Sequence, residues 1–143
     1  MSNNETTFDF ADGNGPVPAH QHSNGGGWVA DTATVAGTAY ISPDARVSDY
    51  AQVLDYAQVL DYAQVYGHAR VLNYARVLNY ARVFEFAMVY DYAQVLDYAQ
   101  VYGHARVFDY SMVFDYARVY DHARVLNKAR VSGCDLVHLF RKD

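Results

Sequence analysis

From Val29 to Val137 every sixth residue is aliphatic: nineteen positions in one unbroken frame, all valine except Ile41. A period of six excludes an amphipathic helix, whose apolar positions recur at three and four. Two residues before each aliphatic position sits a small one, Ala from Ala33 to Ala129 with Ser111 the sole exception. In Ala51-Gln52-Val53-Leu54, strand alternation sends Ala51 and Val53 to one side and Gln52 and Leu54 to the other. Short strands joined by tight corners at a fixed interval make a solenoid, in which each coil packs on its neighbours.

The corner residues agree with this reading. The position two after each aliphatic residue is Asp, Asn or Gly in nearly every unit, with Pro43 and Glu85 as departures. Those three types enter the left-handed backbone region at low cost, which a tight corner needs. Glu85 lacks the short side chain that helps Asp and Asn, so local irregularity is expected around Phe84-Glu85-Phe86.

Units such as Val65-Tyr66-Gly67-His68-Ala69-Arg70 and Val71-Leu72-Asn73-Tyr74-Ala75-Arg76 resemble those of the hexapeptide-repeat proteins. The resemblance covers residues 29 to 133. It implies an all-β fold, a single-stranded left-handed parallel β-helix with three units per triangular coil and about six coils. The left hand rests on the resemblance alone, since parallel crossovers are otherwise almost always right-handed. At about 4.8 Å between stacked strands the column is roughly 30 Å tall. The expected organisation is a loop-rich N-terminal cap over 1–28, the β-helix over 29–133, and a C-terminal cap or tail over 134–143.

Both ends depart from the repeat. The stretch from Pro18 to Val29, with His20, His22, Gly25-Gly26-Gly27 and Trp28, resembles the entry segment of some bacterial and phage hexapeptide-repeat proteins. A bare terminal coil exposes unpaired backbone and apolar side chains. Trp28, with Phe8 or Phe10, is therefore expected to plug the first coil, and Leu139 and Phe140 to close the last.

Composition sets further bounds. A chain of 143 residues, 52% of them hydrophobic, fits one folded domain. No stretch approaches the roughly 20 apolar residues of a membrane span. The polar start Met1-Ser2-Asn3-Asn4-Glu5 is no signal peptide, so a cytoplasmic place or one within a virion or surface assembly is expected. Cys134 is the only cysteine, which leaves no internal disulfide. A net charge of −5 argues against nucleic acid held by a general electrostatic field.

Stacking in threes sorts the outward residues into columns. One corner would carry Tyr56, Tyr74, Tyr92 and Tyr110; the next Tyr62, Tyr80, Tyr98 and Tyr116; the third Tyr50, His68, Phe86, His104 and His122. Such ladders stiffen corners, and offset ring pairs add about 0.5–1.5 kcal/mol each. Recognition of a partner or a sugar is the other use of such rings. The position after each valine also faces out yet is mostly apolar. Leu54, Leu72, Tyr90 and Phe108 line one side, and Tyr66, Phe84, Tyr102 and Tyr120 another. Continuous apolar columns exceed what a soluble monomer normally displays. These residues are the candidate interface with a second copy of the chain or another structural protein.

Metal and catalytic readings carry less. Asp91 would stack on Asp109 and Asp97 on Asp115, but adjacent bulky tyrosines leave little room for the convergent oxygens calcium wants. His20 and His22 are two ligands, which is not a site; neither metal nor cofactor is expected. The hexapeptide family includes acyltransferases and a class of carbonic anhydrases, which form trimers with active sites between columns. The acyltransferases use a catalytic histidine and commonly carry an inserted loop. Here the repeat runs without insertion, and His68, His104 and His122 stand where the repeat otherwise places tyrosine or phenylalanine. No family catalytic residue carries over. The expected function is a non-enzymatic structural or interaction module, a rigid rod that self-associates or docks in a larger assembly. The alternative is an acyltransferase-like trimer.

Overall fold

The computed structural model describes residues 6–142, with side chains through residue 139. It is all-β, with no helix among the described residues. Strands β1 (Thr7–Asp9) and β2 (Pro16–Gln21) precede the array. The first coil comprises β3 (Trp28–Ala30), β4 (Thr34–Val35) and β5 (Tyr40–Ile41), and β6 (Arg46–Val47) opens the second coil against β3. Short strands then recur every six residues to Leu136–Val137. The strands form sheets of nine, seven and six, which are three sides of a solenoid of about six turns. The first side begins with β3, the second with β4 and the third with β5.

Each strand of the array stacks in parallel on the one eighteen residues earlier, so Val53, Val71, Val89, Val107 and Val125 form one inward column. The valines of this column and the alanines beside them are fully buried, in one continuous core. Each such valine contributes roughly 1.5–3 kcal/mol on burial before chain entropy is subtracted. Ser111 replaces an inward alanine without cost in unpaired polarity, because its hydroxyl donates to the Phe108 carbonyl at 2.7 Å.

The corners explain how a six-residue unit closes. Every corner residue from Asp49 to Gly133 adopts a positive φ between 55° and 66°. The following alanine then donates back across the corner, as Ala57 N–H does to Leu54 O at 3.2 Å. The corner side chain turns along the stack. Asp55 Oδ2 accepts from both the backbone N–H and the side-chain amide of Asn73, at 3.0 and 2.9 Å. Asp91 accepts likewise from the backbone of Asp109 at 3.1 Å. The stacked carboxylates are thus each bound to a backbone donor of the next coil, a charge-assisted contact.

The irregularity expected at Phe84-Glu85-Phe86 is absent. Glu85 has φ 57°, and its Oε1 accepts from Gly103 N–H at 2.9 Å. The corner residues below and above it are Gly67 and Gly103, so no corner side chain competes with its longer one for space in the stack. A Cβ at Gly67 would come within 2.8 Å of Glu85 N. Phe86 continues its ladder between His68 and His104, with ring centroids 5.1 and 5.0 Å away.

The entry segment is more ordered than its glycines and prolines suggest. β1 pairs antiparallel with β2, and β2 antiparallel with β3, which extends the first side below the first coil. Phe10, Ala19 and Ala30 form a small buried cluster there. The segment after β2 covers the third side instead: Ile41 N–H donates to Asn24 O at 3.1 Å, and Ile41 O accepts from Gly27 N–H at 3.0 Å. Only glycine fits at position 25, where φ is 115° and a Cβ would lie 2.1 Å from Ile41 O. On the second side, β4 pairs only with Gln52–Val53 among the described residues.

At the other end Leu136–Val137 keeps the eighteen-residue register on Arg118–Val119. Phe140–Lys142 pairs with Arg124–Leu126 at an offset of sixteen. Leu139, expected over the core, is instead 68% exposed, because it occupies an outward corner position where the chain shortens by two residues. The Phe140 side chain lies outside the described residues.

Candidate interaction surfaces

The residue after each left-handed corner residue points outward, and the constant register places ring above ring. Tyr56, Tyr74, Tyr92 and Tyr110 stack with centroids 5.5, 5.2 and 5.1 Å apart. Tyr62, Tyr80, Tyr98 and Tyr116 stack at 5.2, 5.1 and 5.0 Å. The third ladder runs from Tyr50 through His68, Phe86 and His104 to His122. In the two all-tyrosine ladders the planes lie within 8° of parallel, so the faces meet one another and the edges and hydroxyls face solvent.

The candidate interface residues do form continuous columns. On the first side Tyr66, Phe84, Tyr102 and Tyr120 stack at 5.0, 4.9 and 5.4 Å. On the second, Leu54 and Leu72 continue into the Tyr90–Phe108 stack at 4.9 Å. All eight are half-buried. The two tyrosine ladders, at 49–62% exposure, are more exposed than these columns. Sequence periodicity alone did not distinguish the two, since both face outward. Neighbouring arginine stems cover part of the columns: Arg124 lies over Phe108 at 5.8 Å and Arg130 over Phe114 at 5.2 Å. Burial raises the Tyr66 pKa above its ordinary value, against the opposing charge and hydrogen bond of Arg82; Asp49 and Glu85 push it the same way as burial.

At the entry, Trp28 lies on the outer face of the first side and stacks on Phe8 at 4.7 Å. Phe8 meets Phe10 edge-on at 4.8 Å, with the Arg46 guanidinium 5.1 Å from its centroid. Phe10 is the buried member, while Trp28 pins the hairpin from outside. His20 and His22 have separate partners. His20 Nδ1 lies 2.7 Å from Asp31, and buried His22 places Nε2 2.9 Å from Ala39 O. Among the described residues no three His, Cys, Asp or Glu side chains are grouped to hold a metal ion.

Stacked parallel strands, a repeating inward Val/Ala pair and corner ladders define a β-solenoid repeat protein. Residues 63–79, 99–113 and 117–133 match the YdcK beta solenoid repeat family model. No curated protein and no solved structure matches the chain. No helix among the described residues is long and apolar enough to cross a membrane.

Proposed function

We propose that the protein is a non-enzymatic structural or interaction module, a rigid rod that self-associates or docks in a larger assembly such as a phage or bacterial surface structure or one in the cytoplasm. One observation carries this reading: the register runs unbroken over the whole array and presents continuous aromatic and apolar columns on its sides. An uninterrupted stack is stiff and offers a partner a repeating surface. It has no inserted loop to enclose a substrate. The six-residue period supports the finer relation to hexapeptide-repeat proteins and, with it, a left-handed winding. The net charge of −5 weighs against a nucleic-acid partner held by a general electrostatic field.

Light scattering of the full chain at micromolar concentration tests self-association. Assembly is expected, lost on Leu72→Glu with Tyr90→Glu if the second side is used, or on Tyr66→Glu with Tyr102→Glu if the first is. A monomer at that concentration removes self-association and leaves docking on a foreign partner. Calorimetry with acetyl-CoA tests the acyltransferase-like alternative, and saturable binding there overturns the non-enzymatic reading.

A further inference from the structure

Along the first side the outward residues before the valines alternate strictly. Arg46 and Arg82 flank Gln64, and Arg82 and Arg118 flank Gln100, so each arginine meets a glutamine across the strand pair. Successive arginines are therefore two coils apart, roughly 9.6 Å at the inter-strand spacing. On the third side Arg76 and Arg130 stand three coils apart. The second side holds the two-coil interval once, between Arg70 and Arg106, with Met88 in place of a glutamine. The first side alone repeats it.

Beside these arginines runs an all-tyrosine ladder. Tyr62, Tyr80, Tyr98 and Tyr116 are 49–61% exposed and present one hydroxyl per coil. A groove of about 560 Å³ is lined by this ladder and by Arg46, Gln64, Arg82 and Gln100, with Asp44 at its entry end. The arginine column from Arg46 to Arg118 covers four coil steps, roughly 19 Å. Arg46 lies 5.1 Å from the Phe8 ring centroid, and Arg82 donates to the Tyr66 hydroxyl. None of the three arginines forms an ion pair with a carboxylate among the described residues.

We infer that this groove binds a polyproline II peptide with an acidic residue at every third position. That helix turns once in three residues and rises about 3.1 Å per residue, so one face recurs about every 9.3 Å. Over the two intervals from Arg46 to Arg118 it drifts from the arginines by about 0.6 Å. An α-helix repeats a face after seven residues, about 10.5 Å, and drifts by about 1.8 Å over the same stretch. An extended strand repeats a face every second residue, about 6.6 Å, and falls out of step at once.

The rest of the groove suits the same occupant. A polyproline II backbone has no internal hydrogen bonds, so its carbonyls need donors. The tyrosine hydroxyls at each coil and the Gln64 and Gln100 amides between the arginines supply them. Proline-rich segments dock in aromatic-lined grooves, where the preformed helix loses little entropy. Guanidinium forks take carboxylates in two parallel hydrogen bonds. The ladder from Tyr56 to Tyr110 is equally aromatic but has no arginines at the two-coil interval beside it, which makes the third side an internal comparator. The inference rests on the docking half of the proposed function and needs no self-association.

The test is fluorescence anisotropy of a labelled peptide of four Glu-Pro-Pro repeats, titrated with the full chain. It is expected to bind more tightly than three comparators: a peptide of the same composition with its glutamates gathered at one end, Glu-Gly-Gly repeats, and Lys-Pro-Pro repeats. Arg82 is exposed, so Arg82→Gln should keep the melting temperature while losing roughly tenfold in affinity. Arg76→Gln, on the third side, should leave affinity unchanged. Equal affinity for the Glu-Pro-Pro peptide and any of the comparators would overturn the register match. Equal losses for Arg82→Gln and Arg76→Gln would overturn the site. Tighter binding of dextran sulfate than of the Glu-Pro-Pro peptide would overturn the choice of ligand. A chain that self-assembles yet binds none of the peptides would refute this inference and leave the rigid-module reading standing.

Discussion

The carboxylate of Asp97 accepts a hydrogen bond at 2.9 Å from the backbone N–H of Asp115, one coil further along, while Asp97 itself holds φ at 59°. One residue therefore does two things, making the corner and tying it to the next. Asp97→Gly keeps the corner conformation and loses the tie, at a cost of about 1 kcal/mol. Asp97→Ala loses the tie and also pays for a left-handed alanine, about 2 kcal/mol in all. Urea unfolding at constant m-value should give that order. Equal costs would show that the backbone conformation contributes nothing.

Val89 lies at mid-column between Val71 and Val107 and is fully buried. Val89→Asp would bury a carboxylate with no polar neighbour, which costs several kcal/mol or more. Cooperative thermal unfolding, followed by circular dichroism, should vanish. Val89→Ala should keep the transition, with stability lower by about 2 kcal/mol. A Val89→Asp chain as heat-resistant as its parent would contradict the inward stack.

Tyr66 links stability to alkaline pH. Its raised pKa means the native state holds the phenolic proton at pH values where the unfolded chain has released it. The unfolded state then binds fewer protons, so stability falls as pH rises past about 10. Tyr66→Phe should remove that share of the decline. Melting temperatures of parent and variant should diverge on the alkaline side and run parallel near neutrality.

Within the segment 1–27, β2 covers the first coil on the first side, and the Asn24 and Gly27 contacts to Ile41 cover it on the third. Deletion of the segment should uncover Val29 and Ile41 as edge positions and promote head-to-tail growth, which has no intrinsic stop. Electron microscopy should show filaments of the truncated chain and dispersed particles of the parent. A truncated chain that stays dispersed would show that the cover is not what limits growth.

The sequence made the inward columns and the corner positions legible because both follow the six-residue period, which Val29 to Val137 keep without a slip. The three aromatic ladders followed once units were counted in threes. Relations between coils were harder to read. That Asp55 would reach Asn73 depends on side-chain length against coil spacing, not on periodicity. Glu85 looked like a flaw in isolation and is regular because Gly67 and Gly103 flank it in space, eighteen residues away on either side. The entry hairpin was hidden by Pro16 and Pro18, which weaken a strand signal yet sit in β2. The graded exposure of the post-valine columns depends on neighbouring arginine stems, which no single column reveals.

The fixed eighteen-residue register has a hereditary consequence. Residues 55–71 and 91–107 are identical, thirty-six positions apart, which is two full coils. A tandem duplication of that length returns every copied side chain to the side of the rod that its original occupies. One of six residues would rotate everything downstream by a third of a turn and scramble every ladder at once. Such a gene can lengthen or shorten its product in whole coils while leaving each surface column intact, so rod length can vary between descendants without any change in what its sides display.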